Sequence, residues 1–264
     1  MGILFRVAFN PLAFRLSAKY IYPLATRRME ADDVVFFNFG YEQDPPLGLP
    51  LEAVDEPNRM CIQLYHRTAT QADIGGKRVL EVGCGHGGGA SYLTRYLGPA
   101  SYTGMDLNPR GIEYCRRVHA VPGLDFVQGD AQALPFPDES FDAVLNIESS
   151  HCYPDFPGFL REVARVLAPG GRFLYADLRN RNKVAEWEAQ LAAAPLTMLD
   201  ERDISTEVER GLEKSRSSPE LNELVTRRTP TLLRGVAEHG ARRLNRALQT
   251  REICYRMYDF VKPA

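Results

Sequence analysis

A chain of 264 residues with 44% hydrophobic and 25% charged residues can bury a large core in one domain of moderate size, and is too apolar for wholesale disorder. Its 32 basic residues against 34 acidic ones leave a formal net charge of -2, which gives no support to a nucleic-acid partner. Cysteines 61, 84, 115, 152 and 254 show no paired short spacing, so a reducing compartment and no structural metal are expected.

Residues 1–30 set Ile3, Leu4, Phe5, Phe9, Leu12 and Phe14 among Arg6, Arg15, Lys19, Arg27 and Arg28. Charges and Pro11 break the apolar run before it reaches spanning length, and no small-residue cleavage site follows a compact apolar core. Neither a transmembrane helix nor a signal peptide is expected. A helix packing its apolar stripe on the main domain, over an apolar substrate mouth, is the preferred reading; a helix lying on a membrane surface is the alternative. The chain is accordingly placed in the cytoplasm, with no stable membrane insertion and at most transient contact with a membrane surface.

Val34 to Tyr41 is rich in aromatic residues and stops at Asp44-Pro45-Pro46, where prolines end regular structure. Phe39 and Tyr41 are candidates for the floor of a hydrophobic pocket, with a plain core segment as an equal reading. Glu56-Pro57-Asn58 opens a helical stretch through Met60, Leu64 and Tyr65 towards Ala72, and Gly75-Gly76 ends it.

Val79, Leu80 and Val82 read as a buried strand opening into Gly83, Gly85, Gly87, Gly88 and Gly89, with a helix over Ala90 to Leu97. Strand, glycine turn and helix make a nucleotide cradle. Glycine lacks the Cβ that would hold a ligand off, and the helix start presents unpaired N–H groups. Gly83, Gly85 and Gly88 fit a dinucleotide fingerprint, while Glu81 with Gly83, Gly85 and Gly87 fits a methyl-donor one; glycines serving only a tight turn are the bland reading. Glu81 favours the methyl donor, because an acid at a strand end suits a cationic group better than a pyrophosphate.

Short apolar strands and helical stretches then alternate: Tyr102 to Met105, Leu124 to Val127, Ala143 to Asn146 and Arg172 to Tyr175, with crossover helices over Arg110 to His119 and Phe159 to Leu167. This is βαβ order with a parallel sheet. Ligands of such sheets lie beyond the carboxyl ends of the strands. Asp106, after the second strand, is placed to accept two ribose hydroxyls or to cap the helix that starts at Asn108. Asp130, in Gly129-Asp130-Ala131, is placed to accept from an adenine amino group or simply to make a turn. Beyond strand four, near Asn146, Glu148-Ser149-Ser150-His151 falls on the ligand side of the sheet.

Glu81 to Gly87 resembles motif I of class I S-adenosylmethionine-dependent methyltransferases. Asp106, Gly129-Asp130-Ala131, Leu134 to Asp142 and Leu167 to Gly171 match further motifs of that superfamily in order and spacing. The resemblance implies an α/β, Rossmann-like seven-stranded sheet ordered 3-2-1-4-5-7-6, with an antiparallel last strand matched by Arg251 to Lys262. It implies S-adenosyl-L-methionine as cofactor, held by Glu81, Gly83, Gly85 and Gly87, by Asp106 and Leu107, by Asp130 and Ala131, and by Asn146. A closer similarity lies in Asn38 to Glu42, Asp55 to Arg59, Leu64 to Thr70, Gly85 to Ala90 and Ser150 to Pro154. On these segments the chain resembles the mycobacterial phthiotriol/phenolphthiotriol dimycocerosates methyltransferase family and its fatty-acid O-methyltransferase relatives, which act on lipid oxygens. Departures fall in the N-terminal thirty residues and in the helical insert.

His151 is the expected catalytic residue: a neutral imidazole there can take the proton of an acceptor hydroxyl, or position an acceptor that is already a carboxylate. A polar residue capping the next helix is its bland reading. His86, Glu148, Tyr153 and Tyr175, with Phe39 and Tyr41, are candidate substrate contacts, each equally readable as structural. Cys84 and Cys152 are expected to pack, since direct methyl transfer needs no covalent intermediate.

Residues 180–240 combine a charged face with Val184, Trp187, Leu191, Leu196, Met198, Leu199, Ile204 and Val208, which need an inner surface to cover. They predict a helical cap between strands five and six that lines an acceptor channel. The expected organisation is one domain: a lid over 1–70, a cofactor-binding core over 76–178, the cap over 180–240 and a terminal strand region over 241–264. The expected activity is O-methylation of a hydrophobic lipid acceptor, first a fatty-acid carboxylate giving a methyl ester, second a hydroxyl of a phthiotriol-like or other long-chain lipid. An NAD(P)-dependent oxidoreductase and a catalytically silent lipid-binding scaffold are the readings from other classes. A second copy of the chain, forming a homodimer, is an optional partner.

Overall fold

In β1 (Arg78–Val82) every residue after Arg78 is buried, because helices cover both faces of the sheet. The computed structural model describes residues 34–217 and 245–264. The basic segment 1–30 and the later part of the expected cap, from 218, lie outside the described residues. Strands β2 (Ser101–Asp106), β3 (Leu124–Gln128), β4 (Phe141–Ile147) and β5 (Leu167–Asn180) pair in parallel with β1 between them. β7 (Ile253–Val261) runs antiparallel between β5 and β6 (Thr197–Asp203). The seven-stranded order is therefore 3-2-1-4-5-7-6, as the motifs imply.

Alternation along the strands feeds two cores. Val79, Leu145, Leu174 and Tyr255 meet α1 (Arg59–Ala69), α2 (Gly88–Leu97), α3 (Pro109–Val118) and α6 (Ser205–Ser217) on one face. Leu80, Val82, Val144, Phe173 and Tyr175 meet α4 (Phe156–Val166) and α5 (Val184–Ala192) on the other. There Phe173 stacks on Tyr175 at 5.2 Å and on Phe260 at 5.9 Å, and Trp187 stands edge-on to Tyr258 at 5.4 Å. Each such fully buried ring contributes about 1.5–3 kcal/mol from area alone.

The reading of 180–240 needs correction at one point. Met198 and Leu199 are not the inner face of a cap; they lie in β6, and both are exposed at the sheet edge. An edge strand that carries Asp200, Glu201, Arg202 and Asp203 has no apolar alternation to reveal it. It is held through β7, where Arg256 pairs with Glu201 and, at 2.8 Å, with Glu188 of α5. α6 follows β6 directly. Glu42 N–H donates to Glu207 O at 2.9 Å, and the backbone of Tyr41 lies so close to Gly211 that a Cβ there would approach it to 2.4 Å. Among the described residues no helix is long and apolar enough to cross a membrane.

Candidate active site

A cavity of about 290 Å³ opens beyond the carboxyl ends of β1, β2, β3 and β4. Its walls include Gly83, Gly85, His86, Asp106, Leu107, Asp130, Ala131, Glu148, His151 and Tyr153, with Phe39 from the segment before α1. Ten of these were expected from the sequence as cofactor, substrate or catalytic positions, and Phe39 is an eleventh.

Gly83 and Gly85 hold left-handed conformations, with φ of +80° and +56°. A Cβ on Gly83 would fall 2.3 Å from Ser149 Oγ, so the loop packs down onto the turn that carries His151. Asp106 ties the loop to β2: its Oδ2 accepts from Gly85 N at 3.0 Å and its Oδ1 from Asn108 N at 2.9 Å. Burial raises its pKa against these donors. Asn108 caps α3, its side chain accepting from Arg110 N at 3.2 Å, so the capping role weighed for Asp106 falls to its neighbour. Asp130 Oδ1 accepts from the backbone and side-chain nitrogens of Gln132 at 3.0 and 3.1 Å, a turn at the cavity rim.

Residues 34–39 form a strap over this loop. His86 donates from Nδ1 to Val34 O at 2.7 Å, Gly88 N donates to Val35 O at 3.2 Å, and Phe37 stands edge-on to His86 at 4.6 Å. Phe39 N donates to Glu148 Oε2 at 2.9 Å. Glu148 itself has φ of +53°, uncommon for a residue with a Cβ, and burial pushes its carboxyl up to about 8.

Five expected contacts are placed away from the cavity wall. Glu81 is fully buried beneath the loop, its oxygens accepting from Tyr65 and Tyr102 hydroxyls at 2.8 Å each; burial lifts its carboxyl to about 7 against those two donors. It fastens α1 to β1 and β2. Gly87 packs against Phe126, which a Cβ would meet at 2.8 Å. Asn146 sets its Nδ2 within 2.8 Å of Val82 O and Ser149 Oγ and 3.0 Å from Tyr153 OH. Tyr41 is tied to Met60 O by its backbone N–H. Tyr175 lies beneath the turn that carries His151, with its hydroxyl 2.6 Å from Ser150 Oγ and accepting from Trp187 Nε1 at 3.0 Å.

His151 sits on a single 3-10 turn, Ser150–Cys152, whose anchor is Asp177 near the end of β5. The backbone N–H of His151 donates to Asp177 Oδ2 at 2.9 Å and its Nδ1 to Oδ1 at 2.8 Å. Ser150 Oγ donates to the same carboxylate at 2.5 Å, and Arg179 lies 3.2 Å from it, its guanidinium 4.6 Å from the Trp187 ring centroid. Burial opposes the charge on His151, but the Asp177 carboxylate outweighs it and raises the imidazole pKa. Asp177 is correspondingly held below the usual carboxylate range by His151 and Arg179, despite its burial. The Asp177 carboxylate thus favours the imidazolium form, where the sequence reading expects a neutral ring. Asp177 was missed there; its signal was an acid in the apolar run Phe173-Leu174-Tyr175-Ala176-Asp177, at the carboxyl end of a strand.

Residues 80–175 match a methyltransferase domain family model. The chain is 61% identical to the fatty-acid O-methyltransferase of Mycolicibacterium smegmatis, over 93% of this chain and 90% of that protein. It is 58% identical to the phthiotriol/phenolphthiotriol dimycocerosates methyltransferase of Mycobacterium tuberculosis, over 92% and 91%. Among solved structures the cyclase SpnF superposes with a TM-score of 0.67 at 20% identity, over 92% of this chain and 94% of that one. That likeness shows the fold alone, since one fold hosts many chemistries. At the identity and coverage of the first two, the chain belongs to the methyltransferase family that contains the fatty-acid O-methyltransferase and the phthiotriol/phenolphthiotriol dimycocerosates methyltransferases.

Proposed function

We propose that the protein methylates the carboxylate oxygen of a fatty acid, using S-adenosylmethionine, to give the methyl ester. The observation that carries this reading is the His151–Asp177 pair in the cavity wall, where the buried carboxylate favours the imidazolium. A cation there attracts and orients a carboxylate, whereas a hydroxyl acceptor needs a base that has already lost its proton. The names of the relatives support a lipid acceptor.

The residues fit the cofactor. Gly83 and Gly85 border the cavity in left-handed conformations that keep the loop against Ser149 and Phe37, and Asp106 and Asp130 border the same cavity as acceptors for ribose and adenine donors. When bound, S-adenosylmethionine supplies an electrophilic methyl carbon: the acceptor oxygen bonds to it as the carbon–sulfur bond breaks and its electron pair returns to sulfur. His151 holds the carboxylate in line for that approach, which is where most of the acceleration arises. The strap and the Tyr153 ring, packed edge-on to Phe159 at 5.0 Å, exclude water from the same space.

The Asp177–His151 pair is also the arrangement of a general base, which favours hydroxyl methylation as the second reading. The two differ in proton balance. Methylation of a carboxylate releases no proton, and methylation of a hydroxyl releases one per methyl. A weakly buffered indicator assay on a saturating fatty acid is expected to show product without acidification; one proton per methyl group would instead support the hydroxyl reading.

A further inference from the structure

Arg179 lies just beyond Asp177 on β5 and is not among the residues that wall the cavity. Its guanidinium nevertheless reaches both the turn that carries His151 and the carboxylate that anchors it. Nη2 donates to Ser150 Oγ at 3.0 Å, and Nη1 lies 3.2 Å from Asp177 Oδ2 while donating to Leu178 O at 2.7 Å. The charge also lies over two aromatic rings, 5.1 Å from the centroid of Phe156 at the start of α4 and 4.6 Å from that of Trp187 in α5.

Chemistry fixes the direction of each bond beneath the turn. The Asp177 carboxylate only accepts, so Ser150 gives its proton to Oδ2 and His151 donates from Nδ1 to Oδ1. With that proton committed, Ser150 Oγ accepts from Tyr175 OH at 2.6 Å and from Arg179. A guanidinium is a rigid fork: it engages Ser150 Oγ and Asp177 Oδ2 together, while Oδ1 is turned to the imidazole. We propose that Arg179 is a positioning residue for the reaction, the fork that holds Ser150 and Asp177 so that the His151 ring meets the acceptor in one orientation. The proposal rests on the part given to His151 in the proposed function and is indifferent to which acceptor oxygen is methylated.

The attachments of Arg179 come from α4, α5 and β5 as well as from the turn, so turn and sheet are held at one spacing. A lysine keeps the charge near Asp177, but a point charge on a flexible stem does not reach Ser150 as well while lying flat on two rings. A methionine keeps the packing of the stem and loses both the charge and the donors. Methyl transfer needs close collinear approach, and a misplacement on the order of 1 Å costs about a hundredfold. The loss is therefore expected in turnover rather than in donor affinity.

The test is a double-mutant cycle on kcat, with labelled S-adenosylmethionine and whichever of dodecanoate or a long-chain diol the wild-type enzyme turns over. Donor affinity and the urea midpoint are measured on every variant. Arg179→Met is expected to lower kcat about tenfold to a hundredfold in the wild-type background. In the His151→Ala background the same change is expected to cost less than about twofold, because the side chain it positions is gone. Arg179→Lys, which keeps the buried charge pair and so disturbs the fold less, is carried through the same cycle and is expected to show the same pattern with a smaller loss. Equal losses in the two backgrounds mark a general structural effect and overturn the proposal. So does wild-type kcat in Arg179→Met or in Arg179→Lys, or a loss of turnover matched by a loss of donor affinity. Failure of the underlying reading shows separately, as a His151→Ala protein with wild-type kcat.

Discussion

With His151 replaced by alanine, kcat/KM for methylation of a fatty acid is expected to fall by about a hundredfold or more, because the variant loses the cation that aligns the acceptor. Calorimetric affinity for S-adenosylmethionine is expected to stay near the wild-type value, since the donor contacts argued above lie on the glycine loop, β2 and β3. Asp177→Asn separates charge from shape. It leaves a hydrogen-bonding side chain beneath the imidazole but removes the carboxylate that raises its pKa, while Arg179 and burial remain and work against the charge. The sign follows: the imidazolium is then lost as pH rises through neutrality, so the variant's fatty-acid activity is expected to fall on the alkaline side well before that of the wild type. His151→Ala with full activity on every acceptor, donor affinity intact, removes the residue from the mechanism.

The second large effect is expected at Asp106. Its carboxylate accepts Gly85 N–H and Asn108 N–H while bordering the cavity, so Asp106→Ala removes a donor contact and loosens the loop that cradles the donor. Affinity for S-adenosylmethionine is expected to fall about ten- to a hundredfold, as for a buried charged hydrogen bond of ~1.5–3 kcal/mol. The helix cap belongs to Asn108, so the urea midpoint is expected to move much less than the binding constant. A large drop in midpoint with donor affinity unchanged would return Asp106 to a purely structural role.

What was legible in the sequence follows from burial. Parallel strands covered on both faces read as continuous apolar runs, so β1 to β5 stand out, and the polar residues just beyond them, Asp106, Asp130, Glu148 and His151, fall at the cavity. β6 had no such signal, because an exposed edge strand carries charge instead of alternation. Glu81 was read as facing the ligand because its position in the motif is visible, whereas its partners Tyr65 and Tyr102 lie 16 and 21 residues away along the chain. The charge on His151 was equally hidden: it is set by Asp177, 26 residues on, and only β4–β5 pairing brings the two together. The strap was half legible, as an aromatic run whose contacts with His86, Gly88 and Glu148 are tertiary.

The most direct test of the central claim is the product made from methyl-labelled S-adenosylmethionine when the purified protein is offered free fatty acids of graded length and, separately, long-chain diols. The account predicts labelled methyl esters from the acids, with little ether from the diols. Labelled ethers from the diols, with no ester from any free acid, would contradict it.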